Sequence, residues 1–205
     1  MAIAAILCDY GNVLVHTRDP RPRAAWEQRL GLAPGALTRL VHNDTSWLAA
    51  QRGDLTAEAH WQAVGQALAL TAEELAALRQ DFYRGDAVNE ALLARLIALR
   101  QAGYRTAILS NFSTELRQLL ARQGLLPHFE VIAVSAELGV MKPEAAAYTA
   151  ALRLLALPPA ACVFIDDQPL NVAAAQQQGL HGILFRDTAL CLKELDCLLQ
   201  TDLTL

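Results

Sequence analysis

The sequence predicts an α/β protein, a doubly wound parallel sheet with a helical domain inserted after the first strand. Three observations predict it. The chain opens on an apolar run, Ala5-Ile6-Leu7-Cys8, that stops at Asp9 and bends at Gly11-Asn12. Such an unbroken run suits a strand buried on both faces of a parallel sheet. Residues 16–88 then carry apolar side chains at helical spacing and no strand pattern. From Asn89 onward, strand and helix patterns alternate, the rhythm of right-handed crossovers.

Each element has its local reason. Residues 3–9 form the first strand. Asp19-Pro20-Arg21-Pro22 makes a loop, a helix runs from Pro22 to Leu30, and Gly31 closes it. Leu37, Leu40 and Val41 mark a helix after Pro34, and Trp47 to Gln51 a third. Thr56-Ala57-Glu58 is an N-cap with acid in the first turn, opening a helix with Trp61, Val64 and Leu68 on one side. Thr71-Ala72-Glu73-Glu74 is a capping box, followed by Leu75, Leu78 and Phe82. Loops at about residues 16–20 and 84–88 bound this block, so the expected division is a core of 1–15 and 89–205 and an inserted domain of 16–88. Helices are expected over Asn89 to Ala102, Ser113 to Gln123, Glu144 to Leu157, Leu170 to Gln178 and Ala189 to Leu199. Strands are expected over Tyr104 to Leu109, Glu130 to Val134, Ala161 to Ile165 and Gly182 to Phe185. Gly103, Gly124 and Gly179 stop three of the helices, and Pro158-Pro159 a fourth.

A chain of 205 residues can bury one good core, or a core and a small accessory domain. At 54% apolar and 19% charged residues it is globular, not disordered. The net charge of −4, with Lys and Arg scattered, argues against nucleic acid or an anionic membrane as partner. The N-terminal apolar stretch has no basic region before it and is broken by Asp9, unlike a signal peptide or membrane span. Cys8, Cys162, Cys191 and Cys197 are far apart and form no CxxC pair, which points to a reducing, cytoplasmic compartment and no zinc site.

The strand ends carry the chemistry. The first ends at Asp9, the second at Ser110-Asn111, and the fourth at Asp166-Asp167; Lys142-Pro143 follows the third. Singly, Ser110 reads as a helix N-cap, Lys142-Pro143 as a solvated helix start, and Asp166-Asp167 as acids favoured by a helix dipole. In a parallel sheet, however, all of these converge on one rim. Three carboxylates in one crevice call for a cation, and hard oxygen ligands beside a substrate phosphate describe Mg²⁺. A carboxylate next to such a metal can attack phosphorus and form an acyl phosphate. Lys142 can keep Asp9 ionised, and Ser110 with nearby N–H groups can bind phosphate oxygens.

Four motifs, Asp9-Tyr10-Gly11-Asn12-Val13-Leu14, Leu109-Ser110-Asn111, Lys142-Pro143-Glu144 and Phe164-Ile165-Asp166-Asp167 with Asn171 after it, resemble in order motifs I to IV of the haloacid dehalogenase superfamily. The resemblance covers nearly the whole chain. It implies a Rossmann-like core with a helical cap inserted after motif I. The Gly-Asn-Val turn and Arg52-Gly53-Asp54-Leu55-Thr56 look most like the sugar-phosphate phosphatase branch typified by glucose-1-phosphate phosphatase. By resemblance, Asp9 is the nucleophile, Ser110, Asn111 and Lys142 contact phosphate, and Asp9, Asp166, Asp167 and the Gly11 carbonyl bind Mg²⁺. The cap supplies specificity, with His16, His42, Trp47 and Arg52 as candidates. The implied partner is a small phosphorylated metabolite, bound by a monomer or homodimer.

One departure bears on mechanism. Most phosphatases of the superfamily place a second Asp two residues after the nucleophile, and here that position is Gly11. A slower enzyme, a leaving group of low pKa or a proton donor from the cap would each answer for it. The gap keeps two alternatives open. One is 2-haloacid dehalogenation by the same Asp without metal. The other is a silent fold that binds a phosphorylated metabolite or a protein.

Overall fold

The computed structural model describes residues 2–201. The expected core range also takes in residues 1 and 202–205, which lie outside the described residues.

Five parallel strands form the sheet: β1 (Ala5–Cys8), β4 (Arg105–Ser110), β5 (Val131–Val134), β6 (Cys162–Asp166) and β7 (His181–Leu184). Their order is β5-β4-β1-β6-β7, so β1 is central. The chain winds outward from β1 through β4 to β5, then returns to place β6 on the other side of β1. The strand order therefore reverses between β1 and β6, the point where open α/β sheets form a crevice.

Alternation along each strand divides the core in two. Ile6, Cys8, Ile108, Val163 and Ile165 face one side. There they meet Leu92, Leu93, Leu96 and Leu99 of α6 (Glu90–Gln101), Leu116, Leu119 and Leu120 of α7 (Leu116–Arg122), and Cys191 and Leu195 of α11 (Thr188–Thr201). Leu7, Ala107, Leu109, Cys162 and Phe164 face the other side. Their partners are Tyr148, Ala151, Leu152 and Leu155 of α9 (Ala145–Leu155) and Ala175 of α10 (Pro169–Gln177). Both faces of β1 are covered, which is why its sequence is apolar throughout.

Between β1 and α6 lie five helices: α1 (Arg21–Arg29), α2 (Ala36–Val41), α3 (Ser46–Arg52), α4 (Ala57–Ala67) and α5 (Ala72–Arg84). Thr56 accepts from the Ala59 N–H, and the Thr71–Glu74 capping box is complete. Trp26, Leu37, Val41, Trp61, Val64, Leu78 and Phe82 form a separate apolar cluster among α1, α2, α4 and α5. By contrast α3 packs with the main core through Trp47 and Ala50.

Two differences from the sequence expectation concern the ends of this block. Where loops were expected, β2 (Val15–Thr17) and β3 (Asp86–Val88) pair as an antiparallel ribbon. Three residues are too few to show alternation, and the partner lies some seventy positions away. Thr17 Oγ1 donates to Asp86 Oδ1 at 2.7 Å, and Arg23 Nη2 to the same oxygen at 2.9 Å. Further on, α7 begins at Leu116 rather than Ser113, and a short helix, α8 (Ser135–Leu138), fills the stretch after β5.

One buried acid ties the helices of the insert to the loop after β4. Glu115, 4% exposed, accepts from Trp61 Nε1 at 3.0 Å and Arg79 Nε at 2.7 Å, with the Tyr83 hydroxyl at 3.4 Å. Arg79 also reaches Glu58 at 2.7 Å.

Among the described residues no helix is long and apolar enough to cross a membrane. Cys8, Cys162 and Cys191 are buried thiols outside any disulfide, and Cys197 is exposed. Burial pushes Cys8 far above the ordinary thiol range, Cys162 up to about 11 and Cys191 up to about 12. Since the thiolate is the reactive form, an aromatic disulfide reagent at pH 8 is expected to modify one thiol quickly in native protein and four after denaturation. Rapid loss of a second thiol from the native state would contradict the burial of Cys8. Replacing Glu115 by Ala strands Arg79 and the Trp61 N–H, and is expected to lower stability by about 2–4 kcal/mol in urea unfolding. Trp61→Phe removes a single hydrogen bond and is expected to lower it by about 1 kcal/mol.

Candidate active site

The register of the sheet assembles the site. Cys8 pairs with Ile165 and with Ile108, so Asp9, Ser110 and Asp166 emerge together at the carboxyl end of the sheet. The Asp9 N–H donates to the Ile165 carbonyl at 2.9 Å, extending the ladder to the acid itself. The chain then turns sharply, with the Leu14 and Val15 N–H groups both bonding the Tyr10 carbonyl.

Lys142 is the centre of the cluster. Its ammonium lies 2.6 Å from Asp166 Oδ2 and 3.1 Å from Asp9 Oδ1, with only 1% of its side chain exposed. Asp9 Oδ1 also accepts from the Tyr10 N–H at 2.7 Å. Burial raises the Asp9 pKa above the usual carboxylate value; Lys142 and a Ser110 hydrogen bond oppose this, and Asp166 adds to it. One oxygen each of Asp9, Asp166 and Asp167 lie within 4.8 Å of one another. A lone ammonium cannot balance three carboxylates at that spacing, so the donor set, hard oxygens around a negative focus, fits a divalent cation such as Mg²⁺.

The two adjacent acids have different surroundings. Asp166 is fully buried and both its oxygens are engaged: Oδ1 accepts from the Gln168 N–H at 2.8 Å and Asn171 Nδ2 at 3.0 Å, and Oδ2 from Lys142 and Asn171. These bonds tie Asp166 to Lys142 and Asn171, while one of its oxygens still lies in the cluster shared with Asp9 and Asp167. Asp167 is half-buried and turned to the rim, where Asn12 Nδ2 at 3.3 Å and Gln168 Nε2 at 2.8 Å bond one oxygen, Oδ2. Consecutive residues at a strand end point to opposite sides, so the two acids hold two posts.

Asn111 has a structural task beside the lysine. Its amide nitrogen donates to the Lys142 carbonyl and its amide oxygen accepts from the Lys142 N–H, both at 2.8 Å. The side chain anchors the lysine's backbone. Ser110 is buried beside Asp9, as expected. Gly11 has no left-handed backbone, and a Cβ added there would meet nothing within 4 Å.

The expected specificity residues separate. His16 lies exposed on β2. His42 is exposed at one edge, its ring 5.0 Å from Trp47 and 5.5 Å from Phe82. Trp47 is buried and meets Phe112 edge-on at 5.0 Å, so it is packing between α3 and the core. Arg52 is paired with Glu144 at 2.9 Å, beside the Lys142 loop.

Gln51 and Ser135 carried no sequence signal, and the structural task of Gly53 was not legible from its motif. Gln51 Nε2 donates to the Asn111 carbonyl at 2.8 Å, and Ser135 Oγ to the Gln51 carbonyl at 2.6 Å. Gly53, at φ +81°, lies so close to the Ala136 carbonyl that a Cβ would sit 2.3 Å from its oxygen. Helix α3 is thereby fixed against the loops that carry Ser110 and Lys142. A cavity of about 940 Å³ lies elsewhere, between α4, α5 and α7 and against Trp61, Arg79 and Tyr83; none of the strand-end groups lines it.

Comparison with known proteins agrees with this architecture. A HAD-family enzyme from Bacteroides thetaiotaomicron, solved in complex with magnesium and inorganic phosphate, superposes with a TM-score of 0.76 at 19% identity, over 90% of this chain and 95% of that one. Hexitol phosphatase A of Escherichia coli K12 is 27% identical over 187 residues, 89% of this chain and 83% of its own. Bifunctional epoxide hydrolase 2 of Rattus norvegicus is 34% identical over 114 residues, 53% of this chain and 21% of its own. The chain thus spans about a fifth of that larger relative. The sequence profile of haloacid dehalogenase-like hydrolases matches residues 3–179, and the chain belongs to that family.

Proposed function

We propose that this protein is a Mg²⁺-dependent phosphomonoester hydrolase that works through a phospho-Asp9 intermediate. The observation that carries it is the cluster of Asp9, Asp166 and Asp167 around the buried Lys142 ammonium, with Ser110 at its side. The family match, the similarity to a hexitol phosphatase and the fold of a magnesium- and phosphate-bound HAD enzyme support it.

In this scheme Asp9 attacks phosphorus, the P–O bond to the alcohol breaks, and the departing alkoxide takes a proton from water. A water then cleaves the acyl phosphate, returning the Asp9 carboxylate and releasing inorganic phosphate. Asp9, Asp166, Asp167 and the Gly11 carbonyl would hold the cation, which would supply positive charge to offset that of the phosphate. Lys142 holds Asp9 ionised against the effect of burial and adds positive charge beside the phosphoryl group. Ser110 orients a phosphoryl oxygen, while Asp166, Asn111 and Asn171 keep Lys142 in place.

The substrate is a small phosphorylated metabolite, and the resemblance of the Gly-Asn-Val turn to the glucose-1-phosphate phosphatase branch favours a sugar phosphate. Residues 16–88 act as the cap, with His16 and His42 as its exposed candidates for substrate contact. The protein works in the cytoplasm, as a monomer or homodimer. Metal-free dehalogenation is second, because three converging carboxylates suit a reaction that uses a cation.

Asp9→Asn is expected to lower p-nitrophenyl phosphate hydrolysis by roughly 10⁴-fold or more while far-UV circular dichroism is unchanged. Full activity in this variant would refute the nucleophile. The open space at Gly11 admits a side chain that can supply general acid–base catalysis. Gly11→Asp is therefore expected to raise kcat/KM for alkyl phosphates by roughly 10²-fold, and to change p-nitrophenyl phosphate, whose leaving group needs no proton, by less than about threefold. No gain with alkyl phosphates would show that a carboxyl at position 11 does not reach the leaving oxygen.

A further inference from the structure

We infer that Asn12 is a positioning residue that sets divalent-cation affinity by fixing the orientation of Asp167. The inference rests on the metal-site reading above and extends it to a residue outside the ligand set.

Asn12 has φ +58°, in the left-handed region where a side chain is strained and glycine is not. Its backbone N–H closes the turn on the Val15 carbonyl at 2.8 Å, a bond glycine would make equally well. Its side chain is exposed and adds nothing to the core. What glycine could not do is reach Asp167: the carboxamide spans to a residue 155 positions away and donates to its Oδ2 at 3.3 Å. Gln168 Nε2 donates to the same oxygen at 2.8 Å. Two amide donors on one carboxylate oxygen pin the plane of the group and leave Oδ1 outside these two bonds. The amides are neutral, so they orient the acid without reducing the negative charge that draws the cation. Charged donors, as on Asp166, would compete with it. Partners of this kind around a metal ligand typically change affinity about 10- to 100-fold when removed.

The test is Mg²⁺ titration by calorimetry of the full-length, metal-free protein, with Mn²⁺ paramagnetic resonance as a second probe. Asn12→Gly keeps the left-handed turn and removes only the carboxamide. It is expected to weaken Mg²⁺ binding about 10-fold or more, with Tm equal to or above that of the wild type. Asn12→Ala is expected to weaken it to the same degree with a lower Tm, because alanine retains the strain. Gln168→Ala is expected to weaken it further when combined with Asn12→Gly. Wild-type affinity in Asn12→Gly would overturn the role of Asn12 alone. If the wild type itself bound neither Mg²⁺ nor Mn²⁺, this proposal would fall together with the metal-site reading.

Discussion

The site depends on one buried ammonium group. Lys142 Nζ stands between carboxylates from two neighbouring strands, β1 and β6, and almost none of it reaches water. At a 3 Å spacing and the effective dielectric of a protein, each such contact is worth a few kcal/mol, against a desolvation penalty of similar size. The balance holds because further bonds keep each partner in place. Asn111 secures the lysine backbone at both its N–H and its carbonyl. Asn171 and the Gln168 N–H take the remaining lone pairs of Asp166. With these groups fixed, Asp9 is positioned by Lys142, by Ser110 and by its own turn. Asp9, Lys142 and the Asp166–Asp167 pair are thus one electrostatic unit.

That unit also fixes the helical insert. Two separate polar contacts join the insert to the loops that carry the site, one partly exposed and one centred on a buried acid. Helix α3 bonds the Asn111 carbonyl and the Ser135 hydroxyl through Gln51, and Arg52 meets Glu144 across the Lys142 loop. On the other side, Glu115 collects donors from α4 and α5 five residues after Ser110. A displacement of the insert would break bonds at the backbone that positions Ser110 and Asn111. Trp47 illustrates the same coupling in apolar form, since it belongs to the insert by sequence and to the main core by packing.

What was legible in the sequence was whatever has a local signature. The apolar β1 ending on Asp9, the capping box at Thr71 and the acids after Ile165 all declare themselves within a few residues. The ribbon of β2 and β3 did not, because three-residue strands have too little length to alternate and their pairing is distant. Glu115 and Gln51 were invisible because a single polar residue in an amphipathic context carries no spacing. The division of labour between Asp166 and Asp167 was hidden for a different reason: two adjacent acids read alike until the pleat sends them apart. The bonds of the Asn111 side chain to the Lys142 backbone were equally hidden, since motif position says where a side chain starts and not which bonds it makes.

The β2–β3 ribbon has an evolutionary consequence. Val15 faces Val88, so the chain leaves the catalytic sheet and comes back to it at adjacent points. Asn89 then returns directly to the turn, its N–H on the Leu14 carbonyl and its amide on the Val13 carbonyl. Closing a loop at such a pinch costs little more for a long excursion than for a short one, because the entropy grows only with the logarithm of length. The stretches between positions 15 and 88 that do not carry Gln51, Arg52, Gly53, Trp61 or Arg79 can lengthen or shrink while the strand-end cluster keeps its geometry. Selection on substrate range and selection on turnover can therefore act on different parts of the gene.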